Sequence, residues 1–467
     1  MATKKNELDE LKGKLLYKNE SCFDKMSDKE IEKGFAYCED YKKFLDKAKT
    51  EREFVEQSVE LLYKKGFKPY EFGKKVSAGD KYYYNIHNKA LCAFVIGSDS
   101  LENGVYISAA HMDSPRVDLK PNPLYEQDGM AFFKTHYYGG IKKYQWTTVP
   151  LALHGVVTLK DGTNVEINVG EKDDDPIFYI DDLLIHLAGD QMRRSLGDGI
   201  SGEQLNVLVG SVPYKSAGSD AIKLNVLKIL NDTYGITEAD FLSAEISAVP
   251  AMKARDVGFD KSMIAAYGHD DKVCSYTALT ALIEASSKPK NTIMMMLADK
   301  EEIGSEGISG LQCEVFFDII ADLSKTLKCR DAVVRMNSKC LSADVNACFD
   351  PNFGEVYERR NSCYLNKGVV MTKYTGSRGK GGTNDAPAEF VAFVRNIFDN
   401  ADVVWQTSEL GKVDAGGGGT VAKFIAKKNV KTVDLGVPVI SMHAPYELVS
   451  KLDVYQTHKA VAAFYKA

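Results

Sequence analysis

Where the apolar run Ile293 to Ala298 gives way to Asp299-Lys300-Glu301-Glu302-Ile303-Gly304-Ser305, two adjacent carboxylates sit at the point where a buried strand surfaces. Such a pair is costly to desolvate unless its charge is compensated, and a bound divalent metal is the commonest compensation. Other groups of the right kind end other apolar stretches. Ala110-His111-Met112-Asp113-Ser114-Pro115 closes the run from Val105. Side chains two apart in a strand share a face, so Asp113 is placed to hold His111, and a carboxylate on the far nitrogen of a metal-bound imidazole fixes its tautomer. Gly268-His269-Asp270-Asp271-Lys272 precedes a helical pattern, Asp344 lies in the strand-like Ser342 to Asn346, and Val437 to Pro445 puts His443 at the end of another strand. Carboxyl ends of strands in open α/β sheets converge on the binding crevice, so five groups from five such ends suffice for two adjacent metal sites. Taken singly, each has a plainer account: Asp270 and Asp271 as helix caps, Asp344 as a turn residue, Glu301-Glu302 as a solvated strand end, a lone histidine as structural.

The elements that must position these groups are legible as alternation. Residues 34–66 carry helical apolar spacing (Phe35, Cys38, Phe44, Val55, Val59, Leu62) and stop at Gly66. Strands are expected at Tyr82 to Tyr84, Leu91 to Ile96 and Val105 to Ala110, the last two apolar enough to be central. From about Pro121 to Val249 the texture changes to short alternating strands such as Val156 to Leu159 and Val165 to Val169, with the acidic loop Glu171 to Asp175, which is read as a β-rich insertion. Beyond it strands and helices alternate again, with helices expected after Asp270, over Leu311 to Leu323 and over Phe390 to Phe398. This is an α/β pattern: a mixed or parallel sheet with helices on both faces, residues 1–120 and 250–467, interrupted by a second domain over 121–249. The run Gly416 to Gly419 lacks the Lys-Ser or Lys-Thr of a phosphate loop and reads instead as a glycine turn pressed near a site or a helix.

With 467 residues the chain exceeds one ordinary domain. A formal net charge of -6 argues against nucleic acid or an anionic membrane as the main partner. The nine cysteines form no CxxC pair and read as reduced thiols. The polar start Met1 to Glu7 and the lack of a spanning apolar stretch signal neither secretion nor membrane insertion, so a cytoplasmic location is expected.

The segments AAHMDSP, GHDDKVCSYTAL, DKEEIGS, SADVNACFDPN and SMHAPYEL, in this order, resemble the aspartyl aminopeptidase family of cocatalytic zinc exopeptidases, from about residue 30 to the C-terminus. The resemblance implies two divalent ions per subunit, zinc first, with manganese or cobalt suited to the same ligands. Asp270 then bridges the ions, His111 and Asp344 complete one site, and Glu302 and His443 the other. Glu301 becomes the general base and Asp113 the orienter of His111. The family's bridging aspartate commonly precedes a cis peptide, here Asp270-Asp271. Arg378 and Lys380, in Ser377 to Asn384, lie where the family places basic groups near the substrate side chain, which implies preference for N-terminal Asp or Glu. The insertion becomes a dimerisation domain and the whole a tetrahedral homododecamer acting on peptides. Within it Ile177 to Leu187 resembles the segment that reaches a neighbouring subunit's site, with Asp181-Asp182 replacing the expected histidine. Two other functions fit parts of this pattern: a related dinuclear-metal amidohydrolase such as a deacylase, and an assembly protein that has lost its chemistry. The full ligand set and Glu301 argue against the second.

Overall fold

The computed structural model describes residues 2–467, with side chains from Leu8 onward; Met1 and the side chains of the polar start up to Glu7 lie outside the described residues. Two N-terminal helices, Asp28–Leu45 and Glu51–Lys64, each begin with a capping box, Ser27 with Glu30 and Thr50 with Glu53, which satisfies free amides at both starts. The second helix ends before Gly66, whose φ of +84° suits the left-handed turn there.

Nine strands build the principal sheet, in the order Lys68–Pro69, Lys81–Ile86, Ala90–Val95, Thr292–Ala298, Val105–His111, Lys339–Ala343, Lys431–Gly436, Val369–Thr372, Trp405–Thr407. The middle four run parallel, so their carboxyl ends open on one side of the sheet. Their flanks are antiparallel, which makes the sheet mixed. Alternation along the Val105–His111 strand shows why both faces are covered: Tyr106 and Ala110 enter the core shared with helices Asp28–Leu45, His269–Ala285 and Lys451–Tyr465, whereas Val105, Ile107 and Ala109 enter the core beneath helix Val315–Thr326. Residues buried on both faces leave no polar side to the central strands, as expected of parallel strands under two helical layers. The helix expected from Leu311 starts at Val315 instead. Gly310 lies so close to the Ser305 carbonyl that a Cβ would stand 2.2 Å from that oxygen, and the tight turn delays the helix although Leu311 is buried.

A second, wholly antiparallel sheet takes its six strands from Asn164–Val169, Leu151–Thr158, Ala244–Pro250, Arg116–Gln127, Met130–Tyr138 and Val207–Gly210, in that order. The chain crosses from the first sheet to this one between His111 and Arg116, a few residues ahead of the change in texture at residue 121. Helix Ala221–Tyr234 packs on it through Ile222 and Val226, an element the alternating-strand texture did not reveal. A third sheet joins Arg255–Val257, Met263–Ala266, Glu447–Ser450, Pro438–Ile440 and Asn346–Ala347. The Gly416 to Gly419 run packs backbone to backbone: a Cβ on Gly416 would meet Leu410 O at 1.9 Å, and one on Gly417 would meet Gly376 O at 2.1 Å. All nine cysteines carry free thiols. Among the described residues no helix is long and apolar enough to cross a membrane.

Candidate metal centre

At the open carboxyl ends of the parallel strands, two imidazoles and a ring of carboxylates converge. His111 is the last residue of its strand, Asp344 follows Lys339–Ala343 directly, and Glu301 and Glu302 occupy a short 3-10 turn just past Ala298. His443 follows the Pro438–Ile440 strand. Asp270 lies near the start of helix His269–Ala285, where it and Asp271 depart from helical backbone angles, and the Asp270-Asp271 peptide is cis.

Asp270 divides its carboxylate between the two histidines. Its Oδ1 lies 3.3 Å from His111 Nε2 and its Oδ2 3.1 Å from His443 Nε2. Asp344 Oδ1 is 3.7 Å from His111 Nε2, and Glu302 Oε2 is 3.7 Å from His443 Nε2. Two ligand sets result, His111 with Asp270 and Asp344, and Asp270 with Glu302 and His443, each with one donor atom per residue within 4.8 Å of the others. Glu301 belongs to neither, although its Oε2 stands 4.0 Å from His111 Nε2.

Supporting bonds fix this arrangement. Asp113 faces His111 Nδ1 at 3.2 Å through Oδ1, and its backbone carbonyl lies 3.0 Å from the same nitrogen. The same carboxylate accepts from the amides of Glu301 and Glu302, both at 3.1 Å, so it seats the Glu301-Glu302 turn as well as the imidazole. Lys300, at φ +66°, turns the chain so that both amides point there. Sequence reasoning missed Glu447, which accepts from Asp270 N at 3.0 Å and His443 N at 2.6 Å and so ties the shared aspartate to one histidine. It also missed Ser114, which donates to Asp270 O at 2.5 Å while taking a bond from Lys272 Nζ. The position of Glu447 inside SMHAPYEL was the available signal.

Buried charge dominates the electrostatics of the centre. Burial pushes the Glu302 carboxyl well above its ordinary range, with Asp270 adding to the effect. Burial likewise pushes Glu301 up to about 8; His111 opposes this, and Asp344, Asp113 and Asp270 add to it. Although burial acts against charge on His443, Asp270 and Glu302 raise it to about 10. Burial also opposes charge on Asp270, but His111 and His443 hold its carboxyl low. Asp270 Oδ1, Asp271 Oδ1 and Glu302 Oε1 are buried without a hydrogen-bond partner. Surplus buried carboxylate and orphaned oxygens beside imidazole nitrogens are what a divalent ion would satisfy, and the nitrogen and oxygen donors suit zinc.

Arg378 and Lys380 are placed apart from this cluster. Both line a cavity of about 410 Å³ with Tyr374, Glu409 and Lys412, and none of the residues of the two ligand sets lines it. Lys380 Nζ pairs with Asp385 Oδ2 at 3.0 Å and lies 3.7 Å from the centroid of the Tyr374 ring.

A mixed α/β fold that gathers histidine and carboxylate side chains beside its open strand ends has the make-up of a metal-dependent hydrolase. Residues 44–465 match the family model for aminopeptidase I zinc metalloprotease, M18, and the chain belongs to that family of zinc aminopeptidases. The probable M18 family aminopeptidase 1 of Clostridium acetobutylicum is 47% identical over 461 residues, 96% of this chain and 98% of its own. A crystal structure of an M18 family aminopeptidase from Thermotoga maritima superposes with a TM-score of 0.91 at 41% identity, covering 97% of this chain and all of the other. The S. cerevisiae mApe1 dodecamer shares the fold, with a TM-score of 0.75 at 22% identity over 92% of this chain and 96% of the other.

Proposed function

We propose that this aminopeptidase removes single N-terminal residues, Asp or Glu, from peptides with two divalent ions per subunit. His111, Asp270 and Asp344 would hold one ion and Asp270, Glu302 and His443 the other, zinc first and manganese or cobalt as substitutes. The observation that carries this is the split of the Asp270 carboxylate between His111 and His443, which leaves one residue common to both ligand sets. When bound, such a pair polarises the scissile carbonyl and makes water nucleophilic at neutral pH. Glu301, outside both sets and 4.0 Å from His111, takes the proton from the attacking water and passes it to the departing amine. Asp113 keeps His111 in one tautomer by receiving its Nδ1 side. The acidic preference would rest on Arg378 and Lys380, whose cationic groups line one cavity and could pair with a carboxylate-bearing side chain.

The second sheet, formed by residues 116–250, would be the dimerisation domain, and the assembly a tetrahedral dodecamer. Support comes from the exposed apolar side chains of Leu183, Leu184, Ile185, Leu187, Met192 and Leu196, which are close in sequence, and from the dodecameric fold relative. A cytoplasmic site of action accords with nine free thiols.

The test is hydrolysis of a panel of N-terminal aminoacyl substrates by metal-stripped protein, before and after zinc, manganese or cobalt is returned. Metal-restored release of Asp or Glu is the expected result. Restored release of other residues would keep the centre and reassign the pocket, and hydrolysis only of acylated amines would turn the chain into a deacylase.

A further inference from the structure

We propose that the turn Tyr138-Gly139-Gly140, at the end of a strand of the second sheet, positions both halves of the metal centre of the first sheet; this rests on the two-ion reading above. Tyr138 OH donates to Asp113 Oδ2 at 2.9 Å. Asp113 is the carboxylate that faces His111 and seats the amides of Glu301 and Glu302, so the phenol restrains a ligand of one set and a ligand of the other through a single group. The ring itself is held from below. The Arg116 guanidinium lies 4.1 Å from its centroid and is in turn bound by Glu51 Oε2 at 3.1 Å and Asp118 Oδ1 at 2.8 Å, a mostly buried network that leaves the ring little freedom.

Two residues on, Gly140 O accepts from His443 Nδ1 at 2.7 Å. That bond puts the imidazole proton on Nδ1 and leaves Nε2, the nitrogen facing Asp270 Oδ2, free as a ligand. Between them Gly139 sits at φ +75°, and a Cβ there would stand 3.2 Å from both Cβ and Oε2 of Glu302. A side chain there would crowd Glu302 and strain a left-handed backbone, so glycine suits a turn that passes this close to a ligand. The principal sheet, the start of helix His269–Ala285 and the Pro438–Ile440 strand of the third sheet therefore supply the ligands, while a strand end of the second sheet orients His111 through Asp113 and His443 through a carbonyl, and passes close to Glu302. Tyr138 is a positioning residue, since none of its described contacts is with the reacting atoms.

Chelator-competition titration with zinc on the full-length protein tests this. Tyr138→Phe keeps the ring over Arg116 and removes only the hydroxyl. It should weaken retention of zinc about 10–100-fold, the usual cost of losing such a supporting bond, with circular dichroism and assembly size unchanged. Its kcat should fall with KM unchanged. In an Asp113→Ala background the same substitution should add nothing, because the phenol acts through that carboxylate. Gly139→Ala should show comparable zinc loss. Wild-type uptake of two zinc ions with Tyr138→Phe binding both at wild-type affinity would overturn the inference alone, as would additive effects of Tyr138→Phe and Asp113→Ala. Fewer than two zinc ions in the wild type would overturn the two-ion reading and the inference together.

Discussion

Glu301 has the combination a general base needs: burial and neighbouring carboxylates raise its affinity for a proton, it stands beside both ligand sets, and it is a member of neither. Glu301→Gln should cut turnover by about 10²–10⁴-fold while zinc content and assembly stay as in the wild type, measured by peptide hydrolysis beside metal analysis. Turnover within a few-fold of wild type would place the base elsewhere. The proposed substrate preference would rest on different residues. Arg378→Ala should reduce kcat/KM for an N-terminal Asp about 10–100-fold relative to Ala, the worth of one charged hydrogen bond, and an unchanged ratio would remove Arg378 from the pocket. The candidate ligands were legible in the sequence where they close apolar stretches, as His111 and His443 do, so that burial and chemistry met at one position. Tyr138 and Gly140 were not. Tyr138 acts on a carboxylate 25 residues away, in the connection between the two sheets, and Gly140 acts through a carbonyl that every residue possesses.

At the scale of elements, helix Glu51–Lys64 and strand Leu151–Thr158 are joined by a buried histidine. His154 lies between Glu53 at 2.7 Å and Glu171 at 3.0 Å, with Lys49 3.7 Å from Glu171. Burial disfavours its charge, yet Glu171 and Glu53 raise it to about 9. Because the folded value exceeds the ordinary one near 6.5, the contribution to stability is complete below about pH 6.5 and disappears as pH rises through about 9. Its size is on the order of 3 kcal/mol. Thermal unfolding of wild type and His154→Gln at pH 6 to 9.5 should therefore show a difference that shrinks with rising pH, and parallel curves would deny the ion pair this role. The central strands of the principal sheet were readable from continuous apolar runs, since burial on both faces leaves nothing to alternate. Helix Ala221–Tyr234 was harder to see. Its apolar face is short, with Ile222 and Val226 its only buried side chains, and it lies among strands that set the local texture.

For the whole molecule, the proposed assembly would depend on a surface that composition does not reveal, because an exposed leucine and a buried one are the same letter. Leu183→Glu combined with Leu187→Glu should reduce the assembly to smaller species in sedimentation velocity while each chain still takes up metal. An undiminished particle would remove this segment from the contact. The two sheets also meet in a way that bears on descent. The chain leaves the principal sheet after His111, and the first and last strands of the second sheet, Arg116–Gln127 and Ala244–Pro250, lie side by side, with Val117 opposite Ala248 and Asp118 opposite Ser247. Entry and exit are thus adjacent, the arrangement in which a whole module can be lost, gained or exchanged by recombination without disturbing its host. Here such an exchange would have a hidden condition: an incoming module would fold on the host and still fail unless it brought its own phenol and paired glycines to the strand end that faces the histidines.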